Sequence, residues 1–359
     1  MIEKIKISNF KIFKTLILDE LHQISLISGK NNVGKSTLLE AIFFSNCYFR
    51  AESFTTINTI RGAANALRTD IWKSFINVYS KEGSFEIEKV ENGIKKNIFV
   101  ELVDNRNIIA HSPLENTNFV DAPVSEKPND NRSFTHQLSI SASDEENKDT
   151  LQYFVKFDGQ IQTLSNSSPD NPLRSCTYTN FISSKSVINQ PFLAEMLSRL
   201  EIEGKSNYII KALQILDSEI IGIKTLVRNG NIRIYASMKN GRSMPIDNMG
   251  DGICKLIVIC TLILSNPNGL ILVDEMENGF HYSAHKKIWE AIYDAAKMSN
   301  VQVIATTHSY ECIKGASDAM EENKDFGYIR LDNVSDNIVA KSMSSEQLKI
   351  AIESNLEVR

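Results

Sequence analysis

The chain has 359 residues, which is enough for one large domain or two domains of ordinary size. Its 42% hydrophobic and 23% charged residues are typical of a globular soluble protein. The net charge of −5 gives no general attraction to nucleic acid, although a local basic face is compatible with it.

Three features of the sequence argue against secretion and membrane insertion. The first residues, MIEKIK, lack the apolar core of a signal peptide. The longest apolar run, LIVICTLIL at 256–264, is too short to span a bilayer and predicts a buried helix. The cysteines are scattered without a C-x-x-C pair, which predicts reduced thiols in a cytoplasmic protein.

The first part of the chain predicts strands and helices in alternation. Runs of β-branched residues predict strands at 5–7 and 24–27. The segment KSTLLEAIFF then places its apolar residues on one helical stripe. A second helix is predicted at 69–80, with Thr69 or Asp70 as its cap.

The pattern of apolar residues changes in the middle of the chain. From Ser84 to about Leu164, short alternating segments predict an antiparallel meander. The polar stretch 112–132 predicts a mobile loop within it, and 164–172 predicts a second loop.

Helical patterns return at about 187–216, and two strand-like runs then flank the turn NGN. The last third alternates between helices and strands. The predicted elements there are a helix at 251–265, a strand at 269–273, a helix at 282–297, a strand at 301–307, a helix from about 309, strands near 326–342 and a terminal helix. We therefore predict an N-terminal lobe at 1–184, a short helical insert at 185–218 and a C-terminal lobe at 219–359.

A phosphate-binding motif follows the second predicted strand. The residues GKNNVGKS match G-x-x-x-x-G-K-[ST], with a strand before them and a helix after them. The glycines allow successive N–H groups to curl around a phosphate, and the helix adds its positive end. Lys35 is expected to reach the β- and γ-phosphates of ATP as a catalytic cation, Ser36 to ligate Mg²⁺ and Thr37 to reach the α-phosphate. The predicted nucleotide-binding residues of this loop are Gly29, Asn31, Asn32, Val33, Gly34, Lys35, Ser36 and Thr37.

The segment GLILVDE, at 269–275, supplies the acid that such a loop needs for its metal. Four apolar residues predict a buried strand, and ligands gather at the carboxyl ends of strands in open α/β sheets. Asp274 would hold Mg²⁺, directly or through water, and Glu275 would be the general base for the attacking water. Taken alone, the segment is equally typical of a buried strand that ends at a solvated acidic turn.

A third segment, VIATTHS, is a buried strand that ends in a polar turn. The imidazole of His308 is expected to hydrogen-bond the γ-phosphate or the lytic water as a catalytic group. A lone histidine after a strand is more often structural, but the order of the three segments favours the catalytic interpretation.

With ISNFKIFK at the start and NMGDGICKL and ENGFH further on, these motifs resemble ABC-type ATPase heads of the RecF/SMC kind. More narrowly, they resemble the OLD (overcoming lysogenization defect) family and its anti-phage relatives. The middle, at about 85–240, matches only in general texture. The resemblance implies an α/β P-loop NTPase fold of the ABC-ATPase head type, with a mixed central sheet, an antiparallel β meander and a short helical insert.

The resemblance also implies a partner subunit. In such heads an L-S-G-G-Q signature caps the nucleotide bound by the partner, and Gly250, Asp251 and Gly252 stand in the corresponding place. Gly250 replaces the usual serine, but N–H groups at a helix start still suit phosphate. Asn9 and Lys11 match the N-F-[KR] element, which lies near the adenine and phosphates. A homodimer or higher homo-oligomer that sandwiches ATP and Mg²⁺ is therefore expected.

Full-length OLD nucleases carry a TOPRIM domain after the ATPase. Here about fifty residues follow His308, and they contain no D-x-D pair. The long coiled coil of SMC proteins is also missing. We therefore expect an ATPase that acts with a separate effector, a nuclease or toxin, in bacterial anti-phage defence or toxin control.

Three alternatives stay open. The first is a RecF/SMC-like ATPase of DNA repair or recombination that binds DNA directly. The second is a scaffold that uses ATP only to set its oligomeric state, against which Glu275 argues. The third is a transporter ATPase, which the early N-F-K element and the β-rich middle fit poorly.

Overall fold

Two large sheets lie on either side of the helix that follows the predicted phosphate loop. The computed structural model describes residues 1–50, 53, 56–57, 74–77, 83–104, 118–119, 134–156, 161–165, 171–174, 177–183, 189–228, 230–335 and 337–359. The strands are β1 (Ile2–Phe10), β2 (Phe13–Leu18), β3 (Ile24–Gly29), β4 (Ser84–Glu91), β5 (Ile94–Asp104), β6 (Asn118–Phe119), β7 (Phe134–Ser143), β8 (Lys148–Lys156), β9 (Ile161–Ser165), β10 (Thr179–Ile182), β11 (Ile220–Arg228), β12 (Asn231–Met238), β13 (Ser243–Pro245), β14 (Leu270–Val273), β15 (Gln302–Thr306), β16 (Phe326–Val334) and β17 (Asn337–Ser344). The helices are α1 (Lys35–Cys47), α2 (Gln190–Ile202), α3 (Ser206–Gln214), α4 (Asp251–Ser265), α5 (His285–Ser299), α6 (Tyr310–Ala319) and α7 (Ser345–Glu353).

The first sheet is antiparallel and has the strand order β2-β1-β4-β5-β7-β8-β9-β6. Its centre is the predicted meander, because β4, β5, β7, β8 and β9 pair in sequence order. The strand β6 lies inside the loop predicted at 112–132 and pairs with β9, so that prediction is wrong at these two residues. The other residues of that loop lie outside the described part of the chain.

The second sheet has the order β10-β14-β15-β3-β16-β17. Its first five strands are parallel, and β17 pairs with β16 in the antiparallel direction. A mixed sheet beside an antiparallel one confirms the predicted α/β class, with its mixed central sheet and antiparallel β meander. A small third sheet, β11-β12-β13, contains the predicted hairpin around NGN.

The mixed sheet separates two hydrophobic cores. Side chains of a strand alternate between its faces, and β14 shows this directly. Leu270 and Leu272 face the core that contains α1, whereas Ile271 and Val273 face the core that contains α2 to α7. Residues on all sides of α1 are buried, so this helix is enclosed between the two sheets.

The helices α2 and α3 confirm the helical segment predicted at about 187–216. They pack into the same core as α4, and Pro191 stands in the first turn of α2 after the cap Asn189. No helix among the described residues is both long and apolar enough to cross a membrane.

The helix predicted at 69–80 is wrong for the residues 74–77, which form a turn and an isolated bridge between Ile76 and Phe10. The other residues of that prediction lie outside the described part of the chain. The amide of Lys11 donates to the carbonyl of Phe75 at 3.0 Å, so pairing with the end of β1 replaces the helical hydrogen bonds.

One buried amide side chain joins the two large sheets. Gln302, at the start of β15, accepts from the amide of Ile2 at 2.8 Å and donates to the carbonyl of Ile2 at 2.7 Å. It also donates to the carbonyl of His22 at 3.0 Å. The side chain therefore pairs with Ile2 as a strand neighbour would, and it fixes β1 against the mixed sheet.

Candidate nucleotide-binding and hydrolysis site

The carboxyl ends of three neighbouring parallel strands meet at one edge of the mixed sheet. The strand β3 ends at Gly29, Asp274 follows β14, and Thr307 follows β15. Because β15 pairs with both β14 and β3, motifs that are more than 200 residues apart in the chain come together. The Ser36 hydroxyl lies close enough to Asp274 to lower the pKa of its carboxyl, so the first motif meets the second.

The loop between β3 and α1 depends on its two glycines. Gly29 has φ 140°, and a Cβ there would lie 2.5 Å from the carbonyl oxygen of Leu331. Gly34 has φ 90°, and its Cβ would lie 2.6 Å from the side chain of Ile12. Both positions therefore exclude any side chain, which is the requirement inferred from the motif.

The other predicted residues of the loop have different environments. Asn31 and Asn32 are exposed, and Asn32 adopts a left-handed φ of 64°. The side chain of Val33 is buried in the α1 core, and Thr37 is also buried. Their contacts with a nucleotide stay a prediction.

The ammonium group of Lys35 folds back over the loop. Its Nζ donates to the carbonyls of Gly29 at 2.7 Å and Lys30 at 3.0 Å. Burial lowers the pKa of Lys35, and the nearby carboxylates of Glu277 and Asp274 oppose that shift. The group is a partly desolvated cation, and an incoming phosphate would stabilise it better than two neutral carbonyls do.

Thr306, the last residue of β15, binds both predicted acids. Its hydroxyl donates to Oδ1 of Asp274 at 2.5 Å and accepts from the amide of Glu275 at 2.9 Å. Asp274 is only 7% exposed, and burial raises its pKa although the hydrogen bonds from Thr306 and Ser36 oppose this. This role of Thr306 was not predicted, and its only signal in the sequence is a hydroxyl at the end of the third motif.

The donor set fits a magnesium ion. The Ser36 hydroxyl and the Asp274 carboxylate are hard oxygen ligands that already contact each other. In the described ranges, no group of three or more His, Cys, Asp or Glu residues forms a metal site. One hydroxyl and one carboxylate suit an ion that takes its other ligands from phosphates and water, as Mg²⁺ does.

Glu275 is held in an unusual backbone conformation. Its φ of 50° is left-handed, which is rare for a residue other than glycine. The Glu275 carbonyl accepts from Nζ of Lys255 at 2.5 Å and from the amide of Asn278 at 3.0 Å. The carboxylate accepts from Nδ2 of Asn278 at 2.6 Å. The contact with Lys255 was not predicted.

Glu277 orients His308. Its Oε1 accepts from the amide of His308 at 2.8 Å and contacts Nδ1 at 2.6 Å. The Glu277 side chain is 9% exposed, whereas that of His308 is 50% exposed. A carboxylate on Nδ1 holds the ring proton there, so Nε2 is the nitrogen available to a phosphate oxygen or a water. Glu277 was also missed, and its only signal in the sequence is that a third acid closely follows Asp274 and Glu275.

The loop that corresponds to the signature is exposed at one point and tightly packed at another. Gly250 has φ 93°, and no atom lies within 4 Å of the place where its Cβ would be. Asp251 is exposed at the start of α4. A Cβ on Gly252 would lie 2.3 Å from the carbonyl oxygen of Gly279, so this residue packs on the loop that carries the acids. Contact of the loop with a partner's nucleotide stays a prediction.

The N-F-K element lies beside α1. Nζ of Lys11 donates to Oε2 of Glu40 at 2.8 Å and lies 4.5 Å from the centre of the Phe75 ring. Asn9 and Lys11 both have left-handed φ values, of 58° and 50°. The Lys11 ammonium is therefore engaged with a carboxylate of the helix, and its predicted contact with the nucleotide is untested.

The fold and this arrangement of loops define an ABC-type ATPase head of the RecF/SMC-like class. The chain belongs to the family described as AAA ATPase domain, which matches residues 1–313. The protein is accordingly an ATP-hydrolysing enzyme that uses Mg²⁺, as the motifs predicted.

Two proteins of known sequence are similar to the chain. The ATP/GTP phosphatase of Helicobacter pylori (strain ATCC 700392 / 26695) is 25% identical over 354 residues, which cover 91% of this chain and 90% of that protein. The uncharacterised protein MJECL10 of Methanocaldococcus jannaschii is 52% identical over 42 residues, which are 12% of this chain and 19% of that protein.

Two solved structures have the same fold. An Smc head bound to the C-terminal winged-helix domain of ScpA matches with a TM-score of 0.52 and 15% identity, over 97% of this chain and 99% of that one. An Smc head with an extended coiled coil, bound to the C-terminal domain of ScpA from Pyrococcus furiosus, has a TM-score of 0.52 and 13% identity over 99% of each chain.

Proposed function

We propose that the protein works as a dimer in which the loop 250–252 of each subunit caps the ATP held by the other subunit. The observation that carries this is the contrast between the glycines. Gly29 and Gly34 are enclosed by their own chain, whereas Gly250 projects into open space from a helix start that is anchored beside the acids. An exposed loop at a helix N-terminus suits a phosphate held by another molecule.

Hydrolysis in this dimer would use groups that lie at one edge of the mixed sheet. Lys35 and the amides of its loop bind the phosphates, and Glu275 takes a proton from the attacking water. The Nε2 atom of His308 hydrogen-bonds the γ-phosphate while Glu277 fixes the ring. Mg²⁺, when held by Ser36 and Asp274, offsets the negative charge of the phosphates.

The biological role that we propose is ATP hydrolysis within bacterial anti-phage defence or toxin control, together with a separate nuclease or toxin. The residues of the motifs and their order along the chain, from GKNNVGKST to IATTHS, support this role, because they resemble those of OLD-family ATPases. The lobes at 1–184 and 219–359, with the insert at 185–218, would be the units of this head. Stimulation of ATP turnover by duplex DNA, with salt-sensitive binding, would instead favour a RecF-like repair ATPase.

The dimer is tested with the Glu275→Gln variant, which is expected to bind ATP without consuming it. Light scattering should give the mass of a monomer without ATP and of a dimer with ATP. Adding Gly250→Trp should prevent the dimer, because the indole occupies the space in front of the loop. Gly241→Trp is the matched control, since Gly241 has a similar φ of 79° and equally open surroundings. Equal dimerisation of the Gly250→Trp and Gly241→Trp proteins would refute the capping arrangement.

The biological role is tested by phage challenge of cells that carry the chain with its neighbouring genes. Protection should disappear with Glu275→Gln and also when a neighbour encoding a nuclease or toxin is deleted. Protection by the chain alone, or undiminished protection with Glu275→Gln, would contradict a separate effector driven by ATP hydrolysis.

A further inference from the structure

A lysine on α4 connects the exposed loop to the catalytic glutamate. Lys255 lies about one helical turn after Gly252, and its Nζ donates to the carbonyl oxygen of Glu275 at 2.5 Å. The ammonium also lies 5.9 Å from the centre of the Phe280 ring. The same helix therefore presents Gly250 to the outside at its start and contacts the acidic loop one turn later.

The charge of Lys255 is kept at a position where it is unfavourable. Burial lowers the pKa of Lys255, and the carboxylate of Glu277 gives the largest opposing effect. An apolar side chain of similar length would fill this space without desolvating an ammonium group. What the charge adds is the hydrogen bond to the Glu275 carbonyl and the attraction of the nearby carboxylates, Glu277 above all.

That contact acts on a strained backbone. Glu275 has a left-handed φ of 50°, which a glutamate adopts only when its surroundings hold it there. Its carbonyl accepts from Lys255 and from the amide of Asn278, and the bond from the ammonium group is the charge-assisted one. Lys255 is therefore one of the groups that hold the backbone from which the Glu275 side chain projects.

The start of α4 also packs closely against the acidic loop. A Cβ on Gly252 would lie 2.3 Å from the carbonyl oxygen of Gly279, and one on Gly279 would lie 2.9 Å from the amide nitrogen of Gly252. Packing this close leaves no space for one segment to slide over the other. Because Gly252 follows Gly250 by two residues, we expect a displacement of the loop 250–252 to shift the loop that contains Glu275.

We propose that Lys255 is a positioning residue for ATP hydrolysis, which ties the conformation of Glu275 to the state of the exposed loop 250–252. The link to a partner's nucleotide rests on the capping arrangement proposed above. In that arrangement each head aligns its own general base when its loop 250–252 engages the ATP of the other head.

The test compares Lys255→Met, which keeps the length and removes the charge, with Lys255→Arg, which keeps the charge. Lys211→Met, an exposed lysine on α3, is the control. Lys255→Met should lower kcat by about 10- to 100-fold, the rate equivalent of one charge-assisted hydrogen bond, and leave KM for ATP unchanged. Lys255→Arg should recover most of the loss, and Lys211→Met should match the wild type.

Unchanged kcat in Lys255→Met would overturn the proposal. A Lys255→Met protein that unfolds in buffer, or one in which KM rises as kcat falls, would overturn it in favour of a purely structural lysine. The capping arrangement is judged separately, by the ATP-dependent mass of the Glu275→Gln protein. If that dimer is absent while Lys255→Met still loses kcat with KM intact, capping fails and the positioning role stands.

Discussion

Two groups of buried charges among the described residues differ in how burial and neighbouring charges act on them. At the nucleotide site, burial raises the pKa of Asp274 and lowers that of Lys35, so both charged forms are disfavoured. At the far end of α1 lies the Glu91 cluster, which consists of Asn46, Lys89, Glu91, Lys96 and Thr177. Burial alone raises the pKa of Glu91, but Lys89 and Lys96 lower it to about 2.

The contacts explain the difference. Glu91 accepts from Lys96 at 3.0 Å and from Thr177 at 2.9 Å, and it lies 3.1 Å from Lys89. Lys89 itself is buried, and burial lowers its pKa, so its charged form is disfavoured. In this cluster it is the charged form of Glu91 that is stabilised. The charges of the Glu91 cluster are paired with one another and stabilise the fold. The charges of the nucleotide site would instead be paired by a bound phosphate and a metal ion. The two kinds of region should therefore respond differently to mutation.

The largest effect is expected for the residues that act on ATP. Lys35→Ala and Glu275→Gln should each lower turnover by roughly 100- to 1000-fold, because each removes a group that acts on the reacting phosphate or water. They should differ in binding, since Lys35→Ala loses the cation that holds the phosphates and Glu275→Gln keeps it. Phosphate release and titration with a fluorescent ATP analogue measure the two properties. Similar affinities for both variants would contradict these roles.

Asp274→Asn should separate activity from stability. Turnover should fall about 100-fold or more, because the carboxylate ligand of Mg²⁺ is lost. Without nucleotide, the free energy of unfolding should stay the same or rise by up to about 1 kcal/mol, since a buried charge is replaced by a neutral amide. Urea unfolding of the nucleotide-free proteins measures this. A clear loss of stability would show that the Asp274 carboxylate stabilises the fold, as that of Glu91 does.

Glu91→Gln should show the reverse pattern. Turnover should be unchanged, and the free energy of unfolding at pH 7 should fall by about 2–3 kcal/mol, because Lys89 is left buried without its carboxylate. A depressed pKa stabilises the fold above pH 4.5, and this stabilisation is lost as the pH falls from 4.5 to about 2. The difference from wild type in urea unfolding should shrink over that range. Glu101→Gln, an exposed residue on β5, is the control.

The smallest effect is expected for the residue that orients His308. Glu277→Gln should lower kcat by about tenfold, because the imidazole loses the carboxylate that fixes its tautomer. Steady-state kinetics should show little change in KM for ATP. The exposed Glu290 on α5 gives the matched control, Glu290→Gln. If the Glu277→Gln enzyme is as active as the control, then hydrolysis does not require a carboxylate on Nδ1 of His308.

The sequence predicted the parts of the site that are continuous in the chain. GKNNVGKS shows its glycines, lysine and hydroxyl close together, and continuous apolar runs predicted the strands that precede Asp274 and His308. Alternating apolar residues predicted the meander, and the resemblance of the motifs implied the fold of the ATPase head. These features are local, and the structure confirms the fold that they imply.

The parts that were missed depend on conformation and neighbourhood. Thr306 binds both acids only because β14 and β15 are adjacent and parallel. Lys255 donates to the carbonyl oxygen of Glu275, and Glu275 has a positive φ. No pattern of residue types in the sequence predicts that backbone conformation. The helix predicted at 69–80 failed at 74–77 because pairing with the end of β1 outweighed local propensity.

Because of the hydrogen bonds between Gln302 and Ile2, β1 connects β15 with α1. This strand has nine residues, so it spans about 30 Å. One end is fastened to the beginning of β15, and the other carries Lys11, which is clamped to Glu40 on α1. β15 also ends beside Asp274, to which Thr306 donates a hydrogen bond. β1 therefore links the strand at the hydrolysis site to the helix that follows the phosphate loop.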